Sequence, residues 1–144
     1  QIVEFRNGES GMHVLHINEI TRMLLERLVQ KTDAYPHLWE KRNLIVTASS
    51  LHDIGKIGID EAILNKPGKL TAEEFSIMKT HTTIGSSMLD NLEYYQDEEL
   101  VKVAREICRS HHERYDGKGY PDGLRGMKYR FRHSSFLWQM CMTH

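Results

Sequence analysis

His52 and Asp53 are adjacent, and such a pair can bring an imidazole nitrogen and a carboxylate oxygen to one point in space, as a divalent cation requires. The chain supplies further imidazoles: His13 before the pair, then His81 and the doublet His111–His112 after it. A carboxylate can bridge two cations while histidines fill the remaining positions on each, which is the usual construction of a two-metal hydrolytic site. These residues read as a metal-dependent phosphohydrolase core. Two cations would acidify a bridging water and offset charge on phosphoryl oxygens, so no Ser or Cys nucleophile is needed. A solitary helical histidine is more often a surface or satisfied core residue, and that plain reading suits His16, His37, His133 and His144.

The elements that must position these groups are helical by their periodicity. Val14, Ile17, Ile20, Leu24, Leu25 and Leu28 recur at three and four, predicting an amphipathic helix from about Ser10 to Lys31. Glu9 and His13, four apart, stand roughly on one face at its start. Leu44, Ile45, Ala48 and Leu51 predict a second helix over 38–51 that delivers His52–Asp53 at its end, with Gly55 and Gly58 allowing a tight turn behind the pair. The Pro67–Gly68 step marks a loop, and Thr71-Ala72-Glu73-Glu74 is a capping box. It opens a helix carrying Phe75, Met78, Ile84 and Leu89, with His81 inside it. A fourth helix, about 98–110, packs Val101, Ala104 and Ile107 and ends at His111–His112. No segment alternates over strand length, so the fold class is all-α.

With 144 residues, 40% hydrophobic and 27% charged, the chain suits one domain with a sizeable core. Lys and Arg (19) nearly balance Asp and Glu (20), so no global field recruits long nucleic acid or a membrane surface. Cys108 and Cys141 make no disulfide framework, and no stretch resembles a signal peptide or a membrane span, which points to a cytoplasmic location. The chain opens mid-pattern without Met, as a piece of a longer protein would.

Five segments carry a resemblance: Glu9-Ser10-Gly11-x-His13-Val14; His52-Asp53-Ile54-Gly55-Lys56-Ile57-Gly58; Leu64-Asn65-Lys66-Pro67-Gly68-Lys69-Leu70; His81-Thr82-Thr83-Ile84-Gly85; and His111-His112-Glu113-Arg114-Tyr115-Asp116-Gly117-Lys118-Gly119-Tyr120-Pro121-Asp122-Gly123-Leu124. In order and spacing they resemble the HD-GYP domain family, a branch of the HD-domain phosphohydrolases that hydrolyses cyclic dinucleotides, chiefly cyclic di-GMP. The resemblance implies an HD-domain helical bundle over 1–126. It also implies a division of ligands: His13, His52 and Asp53 on one metal, and Asp53, His81, His111 and His112 on the other, with Asp53 bridging. Glu9 matches a position that recruits a third cation in some members. Such ligands suit iron or manganese, with zinc, nickel and magnesium as alternatives. Lys56 is the residue expected to contact a phosphate oxygen or assist the leaving oxygen. Gly119 and Tyr120 lie in the expected substrate loop, where Tyr120 offers either a ring face for a base, a hydroxyl for phosphate, or a loop anchor. Lys66 and Lys69 add local positive charge or are simply solvated. The implied partners are a cyclic dinucleotide and a sensory or receiver domain in the full-length protein.

The chain departs from the family at His16, where Arg is frequent, and above all after Gly126. There the family continues with Glu-Ile-Pro and a helix containing Ala-Asp-Val-x-Asp, whose first Asp completes the first metal site. Residues 127–144 contain no acid. Yet any codons for Trp138-Gln139-Met140-Cys141-Met142-Thr143-His144, read one base earlier, give Leu, Met or Val, then Ala, Asp or Asn, Val, Tyr or His, and Asp. The same shift over Met127-Lys128-Tyr129-Arg130 allows Asp-Glu-Ile-Pro. The expectation is a frameshift near Gly126, leaving 127–144 as a non-family tail, the bundle without its last core helices and the first metal one ligand short. Phe131, Phe136, Leu137 and Trp138 would cover part of the exposed surface, with homodimerisation as another outlet. Two other functions remain open: a catalytically inactive metal- or nucleotide-binding signalling module, and an HD-superfamily nucleotide phosphohydrolase of other specificity.

Overall fold

The computed structural model describes residues 11–31 and 38–125, and the helices within them account for nearly all regular structure. In chain order they are α1 (Gly11–Lys31), α2 (Leu38–Ser49), α3 (Glu61–Leu64), α4 (Ala72–Lys79), α5 (His81–Asp90) and α6 (Glu99–Ser110), with 3-10 segments at Ile54–Gly58 and Glu93–Tyr95. Among the described residues there is no strand, and an isolated antiparallel bridge, Asp116 to Arg125, closes the loop after α6. The all-α expectation holds. No helix among these residues is long and apolar enough to cross a membrane.

One core joins four of the helices. Leu25 of α1, Ile45, Val46 and Ala48 of α2, Leu89 of α5, and Val103, Ala104, Ile107 and Cys108 of α6 are buried together. Helix α1 packs on α2, α2 on α6, and α5 on both α6 and the 3-10 segment after Asp53. The buried stripe of α1 is Ile17, Thr21 and Leu25, spaced by four, whereas Ile20 and Leu24 are exposed. Periodicity counts Ile20 and Leu24 as core because it scores apolarity. Thr21, small enough to sit against a neighbouring helix, takes the inward position instead.

Two helix boundaries differ from expectation, and each difference aims a histidine. Helix α2 stops at Ser49, and its backbone tightens into three-residue bonds: Leu51 to Ala48 O, His52 to Ser49 O and Ile54 to Leu51 O. The long helix expected after the Thr71 capping box, which is present, breaks at Thr80. His81 therefore begins α5 instead of lying within a continuous helix. The cause is local competition for carbonyls. Thr80 Oγ1 donates to Ile77 O at 2.6 Å, His81 Nδ1 to Met78 O at 2.7 Å, and Thr82 Oγ1 to Lys79 O at 2.9 Å.

Gly55 serves packing more than turning. Its φ is not positive, but a Cβ there would lie 1.9 Å from His81 O and 2.5 Å from Gly85 N. Only glycine lets the 3-10 segment lie flush against the start of α5, which brings Asp53 and His81 together.

Candidate metal centre

Three of the histidines are aimed by one repeated device. His52 Nδ1 lies 2.8 Å from Ser49 O, His81 Nδ1 2.7 Å from Met78 O, and His111 Nδ1 2.9 Å from Cys108 O, each a carbonyl three residues back. A carbonyl oxygen can only accept, so each Nδ1 carries the proton and donates it. Each Nε2 is left as a lone pair when the ring is neutral. All three Nε2 atoms point at Asp53: His52 Nε2 is 3.0 Å from Oδ2, and His81 and His111 Nε2 are 3.3 and 3.5 Å from Oδ1.

The result is a crowd of acceptors. His81 Nε2 and His111 Nε2 face one another at 3.1 Å, and Asp53 Oδ1, a buried atom, has no hydrogen-bond partner among the described residues. Lone pairs and a carboxylate oxygen converging without protons between them form a donor set for a cation. Asp53, His81, His111 and His112 each offer one ligand atom, all within 4.8 Å of one another. These residues fit a divalent metal.

The electrostatics fit as well. Burial opposes ionisation of Asp53, but the close approach of His111, His52 and His81 outweighs it and holds the carboxyl far below the usual carboxylate range. Burial pushes the His111 imidazole down, and burial with the neighbouring rings of His111 and His81 pushes His112 down to about 3. Both are neutral at pH 7, the form that ligates. The buried Cys108 thiol donates to Leu51 O and is pushed up to about 12, first by burial and then by the charge of Asp53, so it is inert as a nucleophile.

Around this cluster the sequence candidates take distinct places. Lys56 Nζ is 2.9 Å from Asp53 Oδ2, the oxygen that also faces His52. Tyr120 stacks on His112, with ring centroids 4.7 Å apart and planes inclined by 21°, so one ring face is covered. Gly119 lies against the chain at 112–114, where a Cβ would come within 2.5 Å of His112 O and Glu113 Cα. Lys66 is part-exposed and ion-paired: its ammonium lies 2.6 and 2.8 Å from the two oxygens of Glu74. His13 is placed in the first turn of α1 by its backbone, and its side chain lies outside what is described. Glu9, His37, His133, His144 and the tail 127–144 lie outside the described residues.

Glu113 is a scaffolding residue of the site to which sequence reasoning gave no role. Fully buried, it accepts from the backbone N–H groups of Asp122, Gly123 and Leu124 at 2.6, 3.1 and 2.8 Å. It ties the glycine-rich loop to the base of the histidine doublet. Arg109 and Asp122 reinforce this outside with a two-pronged pair at 2.8 and 2.9 Å. The only sequence signal was an acid directly beside a histidine doublet.

Comparison with known proteins agrees with this geometry. The HD domain family matches residues 10–129. A probable cyclic di-GMP phosphodiesterase of Vibrio cholerae is 40% identical over 129 residues, covering 87% of this chain and 29% of the relative. A 3'3'-cGAMP-specific phosphodiesterase 2 of the same species is 40% identical over 124 residues, 86% of this chain and 22% of the relative. The cyclic di-GMP phosphodiesterase response regulator RpfG of Xanthomonas campestris is 36% identical over 124 residues, 86% and 30%. The chain spans less than a third of the length of these relatives.

Proposed function

Because the chain belongs to the HD domain family, we propose that it is the catalytic domain of a metal-dependent phosphodiesterase of the HD-GYP type. Its substrate is a cyclic dinucleotide, cyclic di-GMP first, in cytoplasmic bacterial second-messenger signalling. The observation that carries this reading is the Asp53 carboxylate with three imidazole Nε2 atoms aimed at it and a buried Oδ1 that has no proton donor among the described residues. Asp53, His81, His111 and His112 would hold one divalent cation, and Asp53 with His52 and His13 a second, with iron or manganese favoured by the mixed nitrogen and oxygen donors. Such cations, when bound, acidify water and neutralise phosphoryl charge.

The chain's own groups supply the rest. Asp53 and the neutral imidazoles present lone pairs without competing protons. Lys56 keeps an ammonium beside Asp53, where it can donate to a phosphate oxygen as readily as to the carboxylate. Gly119 and Tyr120 hold the loop against His112 and so fix the wall on that side of the site. Glu9 is proposed to recruit a third cation. The full-length protein is proposed to carry a sensory or receiver domain, in keeping with the response-regulator relative.

The acid-free stretch 127–144 favours a second reading for this particular chain. If it arises by frameshift, the first metal lacks an Asp ligand, and the chain binds metal and nucleotide without turning over. Sequencing the DNA across Gly126 tests the frameshift, and a single frame incompatible with the codons described above removes it. Metal analysis with a cyclic di-GMP hydrolysis assay, on this chain and on one with the frame-restored tail, tests the function. Activity in the restored chain supports a phosphodiesterase. Absence of hydrolysis in both, with metal bound, favours the binding module.

A further inference from the structure

Phe75 stands where helical periodicity predicts a core residue, yet it is 47% exposed. It packs edge-to-face on Tyr120 with centroids 6.2 Å apart, and Tyr120 in turn stacks on His112 of the metal cluster. Lys79, one helical turn after Phe75, puts its ammonium 5.3 Å from the Phe75 ring centroid and 5.9 Å from that of Tyr120. Among the described residues no carboxylate lies within ion-pair distance of it. A line of rings thus runs outward from buried His81 through His112 and half-buried Tyr120 to exposed Phe75, with an unneutralised cation beside the last two.

A cation without a carboxylate, held over an exposed ring beside a phosphate-hydrolysing centre, matches a nucleotide phosphate and its base. We propose that Lys79 and Phe75 form the outer subsite of the substrate cleft, Lys79 binding the phosphate of the cyclic dinucleotide that is not cleaved and Phe75 contacting a purine face. Tyr120, covered on one face by His112, positions that ligand ring and backs Phe75. This assignment rests on the reading of a cyclic dinucleotide as substrate. It also explains why a large aromatic is left in water on a short helix.

The test is binding of a hydrolysis-resistant phosphorothioate analogue of cyclic di-GMP to the full chain loaded with manganese. Lys79→Met, which keeps the aliphatic stem, is expected to weaken binding about tenfold and to make its salt dependence shallower. Lys79→Arg is expected to bind as the parent does, and Phe75→Leu several-fold more weakly, all at unchanged manganese content. Parent-like affinity and salt dependence in Lys79→Met would overturn the subsite alone. A manganese-loaded parent chain that fails to bind the analogue would overturn the substrate reading, and the subsite with it.

Discussion

The imidazole cluster and the glycine-rich loop after it are both built from buried polar groups, yet they are satisfied in opposite senses. In the loop, one carboxylate collects three backbone N–H groups through Glu113, and both of its oxygens are used. In the cluster, His52, His81 and His111 spend their protons on backbone carbonyls, and everything left over is an acceptor pointing at Asp53. A fully satisfied buried acid is scaffold. An acid with a buried, orphaned oxygen among lone pairs is a donor set that fits a cation. The contrast separates the two acids by what their oxygens meet, Glu113 being fully buried and Asp53 partly so.

That contrast can be broken most forcefully at Asp53. Asp53→Ala is expected to lower phosphodiester hydrolysis by about a thousandfold or more and to reduce bound metal. Paired metal analysis and kinetics check this, and retention of both would erase the distinction. Glu113→Ala should act on the other side, costing about 3 kcal/mol of folding stability in a urea titration, because three buried N–H groups lose a charged acceptor. Metal stoichiometry in the surviving folded fraction should stay close to that of the parent. Gly55→Ala tests the link between the regions' supports. Its methyl would collide with the His81 carbonyl, and a loss of about 2–3 kcal/mol with weakened metal affinity is expected.

A smaller effect follows from titration. His111 and His112 have folded-state values below the ordinary imidazole value of 6.5, so below that pH the unfolded chain holds more protons than the folded one. Stability of the metal-free chain should therefore fall on acidification from about 6.5 toward about 3, the window set by His112. Chemical melts at pH 7.0, 5.5 and 4.5 would show it, each pH being an approximate sampling point in that window. A flat profile would mean that the rings are not held neutral by burial.

Much of the centre was legible from residue types and spacing. His52–Asp53, His81 and the His111–His112 doublet are chemistry-bearing side chains at intervals that helices can bring together, and the structure gathers them. The Thr71–Glu74 capping box was equally legible because its partners are three residues apart. What escaped was whatever depends on backbone partners. The break at Thr80 is invisible to periodicity, since the apolar pattern continues while the hydroxyls of Thr80 and Thr82 take the carbonyls. Glu113 escaped because the groups it binds are N–H groups of Asp122, Gly123 and Leu124, which carry no sequence signature. Gly55 read as a turn residue because its real constraint, the approach of α5, comes from a segment distant in the chain.

The most direct test is a crystal structure of the manganese- or iron-loaded chain with anomalous data collected at that metal's absorption edge. An anomalous peak bonded to Asp53 and to imidazole nitrogens of His81, His111 and His112 is the predicted result. No peak there at full metal loading, or a peak held by other residues while those side chains keep their present contacts, would contradict the account.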